Sequence, residues 1–167
     1  MKTYIIEIRW AIFFTLMSMI WMILEKIAGL HTIHIDKHAI YTNLVAIPAI
    51  TIYVLALLDK RNNYYGGVIS YKQGFESGLI LTILITAISP MSQIVATYLI
   101  TPEYFPNMIK YVVSKGQMTR EDADEYFNLR SYIIQGLTGS FVMGLLTTAI
   151  VTFFISRKTM KPVHELN

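Results

Sequence analysis

Four stretches of this chain are too long, too apolar and too poor in charge to sit on the surface of a soluble domain. They run over residues 8–30, 38–58, 72–100 and 131–156. The first is uncharged from Trp10 to Leu24, the second from Ala39 to Leu58, the third after Glu76 and the fourth throughout. A helix needs about 20 mostly apolar residues to cross the hydrocarbon core of a bilayer. Backbone groups in lipid have to bond within their own segment, which selects helices, and none of the runs alternates as barrel strands do. The expectation is an all-α integral membrane protein: one membrane domain over 1–167 with four transmembrane helices. Glu7 among the leading charges, and a poor small-x-small pattern at Ile27-Ala28-Gly29, argue that the first stretch is retained and not cleaved as a signal peptide.

Charge supports the same reading and orients it. Only 15% of residues are charged against 54% hydrophobic, whereas soluble domains carry roughly 25% charge. Lys2, Arg9, Lys60, Arg61, Lys72, Arg157, Lys158 and Lys161 gather at one side with Glu7, Asp59 and Glu165. Lys26, Lys37, Lys110, Lys115, Arg120 and Arg130 fall on the other, among seven acids. The basic side is expected to be cytoplasmic, with both termini, in a bacterial inner membrane. The lipid bilayer is then the first partner. Basic residues at span ends form no groove pattern, so nucleic acid is excluded as a partner. With no cysteine in the chain, thiol chemistry and thiolate metal sites are excluded as well.

Residues 101–130 are the one sizeable aqueous segment. Phe105, Met108, Ile109, Val112 and Val113 recur at helical spacing, and Gly116 closes the run. Thr119, followed by Glu121 and Asp122, starts a second helix that brings Ala123, Tyr126 and Phe127 onto one face. The expectation is an outer amphipathic helical hairpin between spans three and four. It would lie on the membrane surface, or serve as a cap for a partner protein.

Polar residues inside the spans are the candidate intramembrane site. Glu25, Asn43, Gln93 and Gln135 all fall roughly 6–10 Å below the outer interface when counted at 1.5 Å per residue. This is one polar layer with a contribution from every helix. It reads either as interhelical hydrogen bonding or as an outward-open site for a headgroup, with Glu25 as its charge and Pro90 nearby to kink span three. Glu76, near the inner end of span three, is a further intramembrane acid, one turn from Lys72. His31, His34 and His38 form His-x-x-His-x-Asp-x-His with Asp36. His34 and His38 would share a helix face and could ligate a metal. The loop has to turn within a few residues, however, so polar loop histidines are expected, with no metal and no cofactor. Gly136, Ser140 and Gly144 on span four, and Gly74 and Gly78 on span three, make small-residue faces suited to close helix packing or to a homo-oligomer. No phosphate loop, dinucleotide fingerprint, nucleophile elbow or zinc-protease motif occurs, and no catalytic residue is assigned.

The stretch Gly66-Gly67-Val-Ile-Ser-Tyr-Lys-Gln-Gly74-Phe-Glu-Ser-Gly78-Leu resembles the central motif of a bacterial membrane family catalogued as domain of unknown function 4199. The resemblance extends over most of the chain and implies a small four-span protein with no established activity. It brings no catalytic residues. The function expected is therefore non-enzymatic: binding of a lipid or of a partner membrane protein. A small oligomeric proton-coupled transporter using Glu76 or Glu25 is the alternative.

Overall fold

A computed structural model describes residues 4–156. Lys2, Arg157, Lys158, Lys161 and Glu165, part of the basic side noted above, lie outside the described residues. Among these residues there is no strand, and four helical stretches are long and apolar enough to cross a membrane: Ile5–Ile27, Ile35–Asn63, Tyr71–Ile100 and Leu129–Ile155.

The first, α1 (Ile5–Ile27), stops at a tight reversal. Gly29 adopts φ +75°, a left-handed conformation that glycine takes at little cost. The second stretch opens with short turns, a 3-10 segment Ile35–Lys37, α2 (His38–Tyr41) and a second 3-10 segment Thr42–Val45, before α3 (Ala46–Asn63). Pro48 has no N–H to give to Leu44, and the chain before it tightens accordingly.

The third stretch is α4 (Tyr71–Val95), continued by a π-helical turn Ala96–Ile100. Ser70 starts it with a capping box: its hydroxyl accepts from the Gln73 N–H, while the Gln73 side chain accepts from the Ser70 N–H. Pro90 removes one donor from the middle of this helix, and the Ser89 hydroxyl donates to the Thr86 carbonyl that Pro90 leaves unpaired. Two short helices follow, α5 (Tyr104–Ser114) and α6 (Arg120–Tyr126), packed together through Ile109, Val112, Ala123 and Phe127. Thr119 caps α6, and Asn128 caps the last helix, α7 (Leu129–Ile155).

Spans consecutive in sequence run antiparallel, and α1 packs parallel to α4, with Glu7 beside Ser77 and Lys26 beside Ile100. Phe14 of α1 meets Tyr53 of α3, and Trp10 donates to Asp59. Between α4 and α7 the contacts step in opposite directions along the chain, from Gly74 against Thr152, through Gly78 against Thr148, to Ser140 against Thr86. The approach at Gly78 is close: a Cβ added there would sit 2.4 Å from Thr148 Cγ2. The core is thin, built on Ala11, Tyr53, Ala56, Leu81 and Ile85, with a second cluster of Leu57, Ile69, Val151 and Ile155. Large apolar side chains such as Ile20, Ile47, Leu99, Phe153 and Phe154 face outward instead. This inside-out distribution suits a multi-pass membrane protein. The end of the bundle holding Ile5, Asn63, Tyr71 and Ile155 is termed proximal here, and the opposite end distal.

Candidate functional site

Glu7, Ala11 and Glu25 are the buried residues of α1, and together they mark its inward face. Glu7 and Glu25 are 18 residues apart, five full turns, so both carboxylates project from that face about 27 Å apart along the axis. One lies at each end of the bundle.

At the distal end, three segments converge on Glu25. The turn at Gly29 folds the chain back so that the Leu30 N–H donates to the Glu25 carbonyl at 3.0 Å. His31 is thereby turned inward, and Asn107 of α5 holds its carbonyl with a 2.9 Å hydrogen bond. His38 arrives from the start of α2. The Glu25 carboxylate is divided between two tasks. Its Oε1 accepts from Trp21 Nε1 at 2.7 Å, one turn back on the same helix. Its Oε2 lies 3.3 Å from His31 Nε2 and 3.7 Å from His38 Nε2. Glu25 is 5% exposed and His31 1%. The Nδ1 of His31 has no hydrogen-bond partner among the described residues.

Tyr104, at the start of α5, closes the cluster. Its ring centroid is 5.0 Å from each imidazole. Its hydroxyl lies 3.5 Å from His38 Nδ1 and 3.1 Å from the Tyr132 hydroxyl. Burial raises the Tyr104 phenol above its ordinary pKa; the hydrogen bond with Tyr132 opposes this and the charge of Glu25 adds to it. Tyr104 therefore remains a neutral hydroxyl.

The cluster opens onto a cavity of about 490 Å³ between the spans. All four spans contribute polar groups to its wall: Glu25, Thr42, Gln93 and Ser140 among them. Gln93 donates to Thr97, which also lines it. The remaining surface is largely apolar, from side chains such as Phe14, Met19, Met22, Val45 and Ile85. A cavity of this size, apolar with convergent polar groups at one end, has the form of a ligand site.

The proximal carboxylate is handled differently. Glu7, 2% exposed, bonds Lys60 Nζ at 2.9 Å and accepts from the Ser77 hydroxyl at 2.6 Å. Lys60 is itself 3% exposed and sits 4.0 Å from the centroid of the Tyr64 ring. Arg9 and Trp10 hold Asp59 beside it. Neither Glu7 nor Lys60 lines the distal cavity.

Residues 9–157 match the family described as "Protein of unknown function (DUF4199)". The chain belongs to this family. No curated protein and no solved structure matches it. The family description assigns no activity, so function in this DUF4199 protein has to be read from the site.

The fold distributes the candidate polar residues unevenly. Glu25 and Gln93 both line the cavity. Asn43 is exposed, and its amide donates to its own helix at the Ala39 carbonyl. Gln135 is exposed beside Tyr126 and Ser131. Glu76 is also exposed, 4.0 Å from Lys72. In each case an adjacent residue takes the inward place: Thr42 and Gly136 line the cavity, and Ser77 bonds Glu7. One residue turns a helix by about 100°, so a correct depth is compatible with a side chain on the wrong face.

The small residues divide in the same way. Gly74, Gly78 and Gly144 receive Thr152, Thr148 and Thr82 from the facing helix, Ser140 bonds Thr86, and Gly136 faces open space. The histidines differ from the loop expectation, because the reversal at Gly29 carries His31 into the interior. His34 and Asp36, grouped with His38 in the sequence pattern, are exposed. His31 and His38 of that pattern come together, and the third member is Glu25, which lies outside it. The readable signals for the residues missed were the 18-residue repeat that aligns Glu7 with Glu25, and Trp21 one turn before Glu25.

Proposed function

We propose that this protein is a four-span membrane component that binds an amphiphile in its distal cavity, without catalysis. The observation that carries this reading is the cavity itself: about 490 Å³, apolar along most of its wall, with Glu25, His31, His38 and Tyr104 at one end. Such a site accepts an alkyl or acyl portion against Phe14, Met19 and Met22 and directs a polar group at the cluster. The outward-facing apolar belt supports membrane insertion. The Lys and Arg bias of the sequence supports cytoplasmic termini in a bacterial inner membrane, with the distal end and α5–α6 facing outward. A tag at either terminus that is reached from the outer side of intact cells would overturn this orientation.

Purification in mild detergent followed by mass spectrometry of retained lipids tests the binding. A Cβ on Gly136 meets nothing within 4 Å, so Gly136→Phe can plug the cavity without displacing a neighbour at its first carbon. Wild-type protein should retain a discrete amphiphile, and the plugged variant should lose most of it. Equal retention by both sinks the reading. In a proton-coupled carrier Glu25, which lines the cavity, is the acid to test. Proton flux in liposomes that disappears in Glu25→Gln would favour the carrier. Co-purification of a stoichiometric membrane protein through α5–α6 would favour partner binding.

A further inference from the structure

We infer that Glu25, His31 and His38 form a binding site for a divalent transition metal of the zinc class. Each of the three offers one ligand atom, and these atoms lie within 4.8 Å of one another. Both imidazole Nε2 atoms converge on the same oxygen, Glu25 Oε2, at 3.3 and 3.7 Å. Ligand bonds to zinc of about 2.0–2.2 Å place neighbouring donors of a tetrahedron roughly 3.3–3.6 Å apart, so modest shifts would bring this set onto one ion. Two histidines and one carboxylate are a donor set that zinc takes in sites with one open position.

The surroundings also suit an ion. Trp21 occupies Glu25 Oε1, leaving Oε2 to bind through a single oxygen. The Tyr104 hydroxyl near His38 Nδ1 and the Asn107 bond to the His31 carbonyl steady the two imidazoles, as outer-shell partners do around metals. With an ion on His31 Nε2, the buried Nδ1 would carry the ring proton; it has no partner among the described residues.

Two imidazole nitrogens and one carboxylate oxygen suit the zinc class better than magnesium or calcium, which take oxygen donors. Glu25 and His31 are almost wholly enclosed, and the approach that remains is from the cavity. A divalent ion bound to one carboxylate favours an anionic oxygen on that side. The inference does not depend on amphiphile binding, because the probe is the metal alone.

The test uses the full chain in detergent, with no polyhistidine tag and stripped by chelator, titrated with Zn²⁺ and separately with Fe²⁺ against a competing chromogenic chelator. Wild-type protein should bind one equivalent of Zn²⁺ and prefer it to Fe²⁺. Its melting temperature should rise with Zn²⁺, because a ligand that binds only the folded state stabilises it. His38→Ala is the principal variant, since His38 is the more exposed of the two histidines, and its melting temperature without metal checks that it folds. It should weaken Zn²⁺ binding by about tenfold or more, in the range seen when metal-site support is removed. His34→Ala should leave affinity unchanged. Co²⁺ substitution should give the visible absorption of a four-coordinate nitrogen–oxygen site in wild type and not in His38→Ala. Absence of stoichiometric Zn²⁺ binding, tighter binding of Fe²⁺, binding unchanged in His38→Ala, or binding lost in His34→Ala would each overturn the inference.

Discussion

The two ends of the bundle solve one problem in opposite ways. Each has to bury a carboxylate from the same face of α1. The proximal end gives Glu7 a lysine and a hydroxyl and closes over them. The distal end gives Glu25 an indole and two imidazoles beside a cavity. Packing follows the same division. Gly74, Gly78 and Gly144 are pressed by threonines from the facing helix, whereas Gly136 and Gly139 meet nothing within 4 Å. A lysine ammonium offers a carboxylate only donors and a charge. An imidazole can be neutral, protonated or bound to a metal, so its partner carboxylate stays responsive. The proximal end is thus closed by a buried pair and tight helix packing, and the distal end adjoins a cavity.

Breaking the proximal pair should have the largest effect. Lys60→Met leaves Glu7 buried beside Ser77 without its cation, and loss of one partner from such a pair costs about 3–5 kcal/mol. Unfolding in mixed micelles should show this, and Glu7→Gln combined with Lys60→Met should recover much of it. A single variant as stable as wild type would show that the pair does not hold the proximal end.

Glu25→Gln should cost less, about 1–3 kcal/mol, because the amide oxygen can still accept from Trp21. If it destabilises more than Lys60→Met, the distinction between the two ends fails. Gly78→Ala and Gly136→Ala sharpen the packing contrast. The first drives a methyl into Thr148 and should cost about 1–3 kcal/mol. The second enters open space and should gain up to about 1 kcal/mol from helix propensity. Equal melting temperatures would mean that both ends pack alike.

The smallest effects should come from Asn43→Leu and Gln135→Leu, each within about 0.5 kcal/mol of wild type. Both side chains are exposed and away from the cavity wall, so ligand retention and metal binding should be unaffected. Loss of either property would return these residues to the site.

Much of this division could be anticipated from particular residues. Glu25 and Gln93 stood out as polar groups at matching depth, and depth is additive along a helix at a fixed rise. Gly29 marked a reversal, but not that His31 would be carried inward by it. Glu7 and Lys60 read as span-end charges because nothing local distinguishes a snorkelling lysine from a buried one. Their pairing depends on α1 and α3 meeting antiparallel, across 53 positions of chain.

The amino-acid sequence alone determined that the chain has four membrane-length helices, where each begins and ends to within a few residues, and how far along each one its polar groups lie. These follow from local hydrophobicity and from the constant rise of a helix. The tertiary structure alone decided which way each polar group faces. A single residue of offset rotates a side chain by about 100°, and the choice between Thr42 and Asn43, Ser77 and Glu76, or Gly136 and Gln135 is made by the neighbouring helices. The joining of Glu25, His31 and His38 belongs to that second kind of information.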